Sequence, residues 1–260
     1  MNVWEARVVV RERSVAEIAD LAVRFTLVLG GSLYLRLALW LMLPAYALCD
    51  LLLRSHWGDG FAWCLAFVLF AVIQLPFTVA AGRLMFSPDV SVRIVLATTW
   101  RLLFRGLRAR LVGALLVGGG SLLVVLVPFA IARALYLTEV VVLEGSGAVS
   151  AYQRTSRLTS SRTAQTLGVW LSLLTASTAC IAVCQVLGRT LAAEGLAFDA
   201  FSDLWHGLSS EAGIAGLLLS APLVATLRFL AYIDNRTRRE GWDIQVRFMD
   251  LGRAFEGGAT

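Results

Sequence analysis

The residues able to do chemistry in this chain are few and far apart. Its two histidines, His56 and His206, each stand beside a tryptophan in segments read as loops. A catalytic zinc needs three protein ligands, and neither His-x-x-x-His nor Cys-x-x-Cys spacing occurs. Nor is there a Gly-x-Ser-x-Gly elbow or a phosphate-cradling glycine loop ending in Lys-Ser or Lys-Thr. Gly118-Gly119-Gly120 lies in an apolar run with no lysine after it, which reads as a packing or flexing element. Asp50 and Glu139 would form an intramembrane carboxylate pair only if the fold brought them together. A membrane-embedded hydrolase would need such a pair or a metal. The expectation is no enzymatic activity, no metal and no cofactor.

The polar groups that remain fall into two sets. Gln74, Arg133, Glu139 and Gln185 lie deep within apolar runs, where an ionisable or amide group needs a partner or a water-filled cavity. Arg133 and Glu139 are six residues apart, so they do not stack on one helix face and are expected to meet other helices. Arg36 and Arg228 are expected to snorkel to one face and Asp50 to the other. The second set is a cluster at one end. Tyr232, Asp234, Arg236, Arg238, Arg239, Glu240 and Asp243 crowd the exit of the last apolar run, and Glu144, Arg154 and Arg157 sit at matching depth after an earlier one. The mixed signs read as a collar. Glu144, Asp234, Glu240 and Asp243 are expected to form its structural ion pairs. Arg154, Arg157, Arg236, Arg238 and Arg239 are candidates for contacts to a protein partner or an anionic lipid headgroup.

The elements that must position these groups follow from composition. Of 260 residues 58% are hydrophobic and 16% charged, against about 25% charged in an average soluble domain. Too few charges exist to coat a soluble exterior. They are also segregated: Gly60–Gly82, Leu111–Ala132, Thr163–Gly188 and Ala212–Leu227 carry none. Several of these runs reach the roughly 17–25 residues that cross a hydrocarbon core. The class is therefore an all-α, polytopic transmembrane helical bundle. All 23 basic residues are Arg and the net charge is +5. Flanking apolar runs as they do, these arginines point to anionic lipid on the cytoplasmic face rather than to nucleic acid. An all-Arg chain rich in Ala, Leu and Val suggests a GC-rich bacterial genome, hence a bacterial cytoplasmic membrane. Met1–Asp20 has the charges of a helix rather than of a signal peptide, so the first membrane helix is expected to direct insertion.

Ser14-Val15-Ala16-Glu17 reads as a capping box. Ile18, Leu21, Ala22 and Phe25 behind it make the stripe of an amphipathic interfacial helix within a cytoplasmic segment 1–32. A bundle over 33–233 and a charged cytoplasmic tail over 234–260 follow. Crossings are expected at about Leu33–Leu53, Phe61–Met85, Thr163–Gly188 and Ala212–Ile233. Ser87-Pro88 should start a second interfacial helix, with Leu96, Trp100, Leu103, Leu107 and Leu111 facing the membrane and Arg93, Arg101, Arg105 and Arg108 opposite. The outer loop carries Phe198, Phe201, Trp205 and Leu208, which suggest a third. Leu111–Leu143 is either one kinked crossing or a hairpin at Pro128. A hairpin gives six crossings with both termini on the Arg-rich side, leaving only Arg54 and Arg189 on the other; the positive-inside rule favours it over five. Gly168, Ser172, Ala176, Cys180, Cys184 and Gly188 form a ladder of small residues suited to close helix packing. Cys49 and Cys64 flank a short loop where a disulfide is conceivable, though free thiols are expected.

Three segments resemble the membrane domain attached to some glycerophosphodiester phosphodiesterases and its stand-alone relatives in bacteria. They are Arg13-Ser14-Val15-Ala16-Glu17-Ile18; Glu144-Gly145 followed by Arg154-Thr155-Ser156-Arg157-Leu158-Thr159; and Tyr232-Ile233-Asp234-Asn235-Arg236 with Arg238-Arg239-Glu240-Gly241-Trp242-Asp243. Thr155 and Ser156 stand where that family has Ser and Trp. The resemblance implies six helices and no phosphodiesterase chemistry, because that activity belongs to a separate soluble barrel. The expected role is a non-enzymatic scaffold or accessory subunit of a membrane complex. The alternative is a small-molecule or lipid transporter. The oligomeric state is left open.

Overall fold

A computed structural model describes residues 13–55, 59–85, 87, 90–120, 126–160, 162–190 and 211–240. Both histidines, Asp243 and the expected third interfacial helix lie outside them. Every regular element among the described residues is helical, and four helical segments are long and apolar enough to cross a membrane: Gly31–Leu53, Asp59–Leu84, Thr163–Gly188 and Glu211–Arg238. The chain is thus an all-α bundle of membrane-protein character.

Helix α1 (Val15–Arg24) starts where the capping box places it, with the Ser14 side-chain oxygen accepting from the Glu17 amide at 3.3 Å. Ile18 and Ala22 are its buried stripe. A π-helical turn over Phe25–Leu29 joins it to α2 (Gly31–Leu53). Gly30 sits at that joint because a Cβ there would lie 2.8 Å from the Tyr34 ring. Helix α3 (Asp59–Leu84) follows, buried over most of its second half.

The next helix differs from expectation. Rather than an interfacial helix followed by a separate crossing, α4 runs unbroken from Val92 to Gly120. It starts after Ser91, whose hydroxyl accepts from the Ile94 amide at 3.4 Å, not at Ser87-Pro88. It lies antiparallel to α3, as the bonds Arg83 to Thr98 at 3.0 Å and Arg110 to Gln74 at 3.2 Å show. Its inward face is the line of Val95, Thr99, Gly106 and Ala109. The large residues point outward, Trp100 and Phe104 at 74% and 72% exposure. Close approach of two backbones in lipid favours small residues at the contact and leaves bulky apolar ones to the acyl chains.

The described residues on either side of 121–125 lie alongside one another. A Cβ on Gly120 would lie 2.9 Å from the Ala130 Cβ, and one on Gly113 3.8 Å from that of Ala134. The described parts of 111–143 therefore pack side by side instead of forming one continuous helix. Pro128 is not a hinge but occupies the first turn of the returning helix α5 (Val127–Ala134), where a missing N–H is harmless. Helix α6 (Leu137–Glu144) ends on Gly145 at φ 68°, the left-handed conformation that glycine adopts without a Cβ penalty.

Helix α7 (Ala148–Thr159) leads to α8 (Thr163–Thr190), a peripheral helix with Leu171, Val183 and Val186 facing outward. The expected final crossing is two helices, α9 (Glu211–Leu219) and α10 (Ala221–Glu240), broken at Ser220 ahead of Pro222. It is the most buried of the four spans and forms the centre of the bundle. The small-residue ladder of α8 does serve close packing, though the decisive glycine is on the partner. A Cβ on Gly216 would come within 2.6 Å of the Ile181 Cα and 2.8 Å of the Cys180 carbonyl oxygen. All four cysteines are free thiols.

Candidate functional site

Two polar layers are built on this frame. The first lies in the middle of the bundle, about ten residues, or roughly 15 Å at 1.5 Å per residue, inside the far ends of α3 and α10. The α6 carboxylate of Glu139 is fully buried and bonds the guanidinium of Arg228 on α10, itself only 9% exposed. Beside them Arg110 on α4 donates to the Gln74 side-chain oxygen on α3. A further bond ties α2 to α10, between Tyr34 and Thr226 at 2.9 Å. Neither charge of the Glu139–Arg228 pair could stay in so apolar a place alone. A buried ion is tolerated when its partner and hydrogen bonds replace lost hydration.

This layer corrects two expectations. Arg228 does not snorkel; it faces inward because α10 is surrounded by the other helices. Arg133 is exposed on α5 and meets no interior partner among the described residues. Helix α5 ends at Ala134 and α6 starts at Leu137, so the break redirects the chain between Arg133 and Glu139. Arg110, which the sequence reading did not single out, joins this layer through Gln74. Its signal was present: it continues the line of Val95, Thr99 and Gly106 at spacings of three and four. Gln74 is buried as expected, and Gln185 is half-buried on α8.

The second layer is the collar, where the three segments singled out in the sequence converge. Glu144, at the end of α6, accepts from the Tyr232 hydroxyl of α10 and pairs with Arg154 of α7 at 2.6 Å and Arg236 of α10 at 3.6 Å. One carboxylate thus ties three helices. Asp234, buried on α10, accepts from the Arg13 amide at 2.9 Å, from Arg238 at 2.8 Å and from Gln165 of α8 at 3.5 Å. Arg238 closes the ring by donating to the Arg13 carbonyl at 2.6 Å. Asp234 and Arg238 therefore lock the residues just before α1 to α10, and Glu144 and Arg236 have structural pairings as well. The side chains of Arg239 and Glu240 lie outside the described set.

Arg157 behaves differently. It is exposed, and with Ser146, Ser150, Gln153 and Arg154 it lines a hollow of about 430 Å³ at the start of α7. Among the described collar residues, it is this hollow and not the buried ring that lies open at the surface. At the opposite end of the bundle, Arg54 pairs with Asp50 at 2.9 Å and with Glu211 at 3.5 Å, joining α2 to α9. No family model, curated protein or solved structure matches the chain.

Proposed function

We propose that this chain is a non-enzymatic integral protein of a bacterial cytoplasmic membrane, acting as a scaffold or accessory subunit of a membrane complex. In this reading it makes six crossings, counting the α4 and α5–α6 hairpin, with both termini and the collar in the cytoplasm. The distribution of arginine supports that orientation, and the resemblance to the phosphodiesterase-linked membrane domain agrees with it. The observation that carries the role is the Glu139–Arg228 pair. Its carboxylate is fully enclosed and bonded across α6 and α10, which is how a bundle fixes its own architecture. A translocation path would hold such a group towards water.

The transporter reading keeps one observation in its favour. Glu139 Oε2, Arg228 Nη2 and Arg110 Nε have no hydrogen-bond partner among the described residues, and unsatisfied buried polar atoms commonly mark ordered water or an ion.

Gentle detergent extraction from the native membrane followed by mass spectrometry tests the leading reading. A stoichiometric protein partner is expected, and Arg157→Glu should release it while leaving the fold intact. A strictly monomeric protein with no partner would sink the scaffold role.

A further inference from the structure

The membrane-facing groove between α3 and α4 has features that ordinary lipid packing does not explain. It encloses about 460 Å³ and is lined by Phe67, Val68, Phe104, Leu107 and Leu111, yet it also contains Arg108 and Arg110. That size lies within the roughly 300–1,000 Å³ of small-ligand clefts. Phe67, Val68, Phe104 and Leu111 are 56–72% exposed, so no other part of the described chain covers them. Because α4 runs antiparallel to α3 beside its membrane span, the guanidiniums lie at a depth where hydrocarbon would otherwise surround them.

The charges do not cancel. Glu139 bonds Arg228, whereas Arg110 donates to the neutral amide oxygen of Gln74, so among the described residues Arg110 has no bonded counter-ion, and Arg108 adds a second cation at the groove. Arg110 Nε is buried with no hydrogen-bond partner among the described residues. A bare cation at membrane depth is costly, and an anionic group drawn to it removes that cost.

Resting on the reading of the chain as membrane-embedded, we propose that this groove is a binding site for an anionic phospholipid. Its phosphate lies on Arg108 and Arg110 and one acyl chain runs along Phe67 and Leu111. The apolar wall fits hydrocarbon and the two guanidiniums that line the groove fit a phosphodiester, which a second protein copy would have to match with buried acids.

Native mass spectrometry of the intact chain in a mild non-ionic detergent, titrated with phosphatidylglycerol or phosphatidylcholine, tests this. One phosphatidylglycerol per chain is expected to be retained, with about tenfold preference over phosphatidylcholine. Arg108→Gln should remove the preference, and Ala114→Trp, which fills the groove without changing charge, should remove retention. Both positions are exposed, so both variants should melt like the parent. Equal retention of the two lipids, or an unchanged preference in Arg108→Gln, would overturn the proposal, as would a dimer formed through Phe104 and Leu111 that excludes lipid. The partner experiment reads a different surface, so either can fail alone.

Discussion

Replacing Glu139 by Leu should destabilise the bundle by about 3–5 kcal/mol, the range for removing one member of a buried ion pair. The loss comes less from the missing bond than from what stays behind. Arg228 is 9% exposed and has nowhere to carry its charge. Arg228→Met should cost a similar amount by stranding the carboxylate. The double variant Glu139→Leu/Arg228→Met should recover most of the loss, because two apolar side chains of similar bulk avoid the desolvation cost altogether. Unfolding in mixed micelles by denaturant titration gives the four corners of the cycle. Arg36→Leu, an exposed arginine on α2, should stay within about 0.5 kcal/mol. Equal losses for Arg36→Leu and Arg228→Met would mean that Arg228 is not enclosed.

Glu144→Ala should be the most damaging single change in the collar, at about 2–3 kcal/mol, since a hydrogen bond to a charged group contributes roughly 1.5–3 kcal/mol. Its carboxylate holds Tyr232 and two arginines. Truncating any one ligand should cost less. Arg154 is 39% exposed at its side chain, so Arg154→Gln should cost no more than about 1 kcal/mol. Arg157→Gln should be neutral for stability. Hydrogen exchange would locate the effect: Glu144→Ala should loosen the amides of α7 and the end of α10, and leave α2 and α3 protected. Uniform loss of protection across all helices would contradict this local role.

The crossings and the collar were legible because they rest on short-range signals. Apolar runs of Gly60–Gly82 or Thr163–Gly188 leave no soluble alternative, and the Ser14 capping box fixes a helix start within one turn. Glu144, Asp234, Arg236 and Arg238 stood out because charges crowded at the ends of apolar runs share a depth. The partners inside the bundle were not legible in the same way. Pairing Glu139 with Arg228 depends on which faces of α6 and α10 meet, a long-range outcome that helical spacing alone leaves open. The apolar stripe of α4 was expected to face the membrane, and Trp100 and Leu111 do face out; what helical spacing did not show is that the small residues such as Gly106 pack against the protein and bring Arg110 inward with them. Pro128 misled for a related reason, since proline marks helix starts as readily as bends.

The Glu139–Arg228 pair at the centre of the bundle is expected to be closed off from water on both sides of the membrane and to form no conduit. Cysteine accessibility tests it most directly. In a background with Cys49, Cys64, Cys180 and Cys184 replaced by Ala, single cysteines are placed by Gln74→Cys, Val140→Cys and Arg157→Cys. Sealed vesicles of both orientations are then exposed to a membrane-impermeant thiol reagent. Labelling is expected at position 157 from one side only, and at background level at positions 74 and 140 from both. Labelling of position 74 or 140 from either side would place water beside Glu139 and contradict the account in favour of transport.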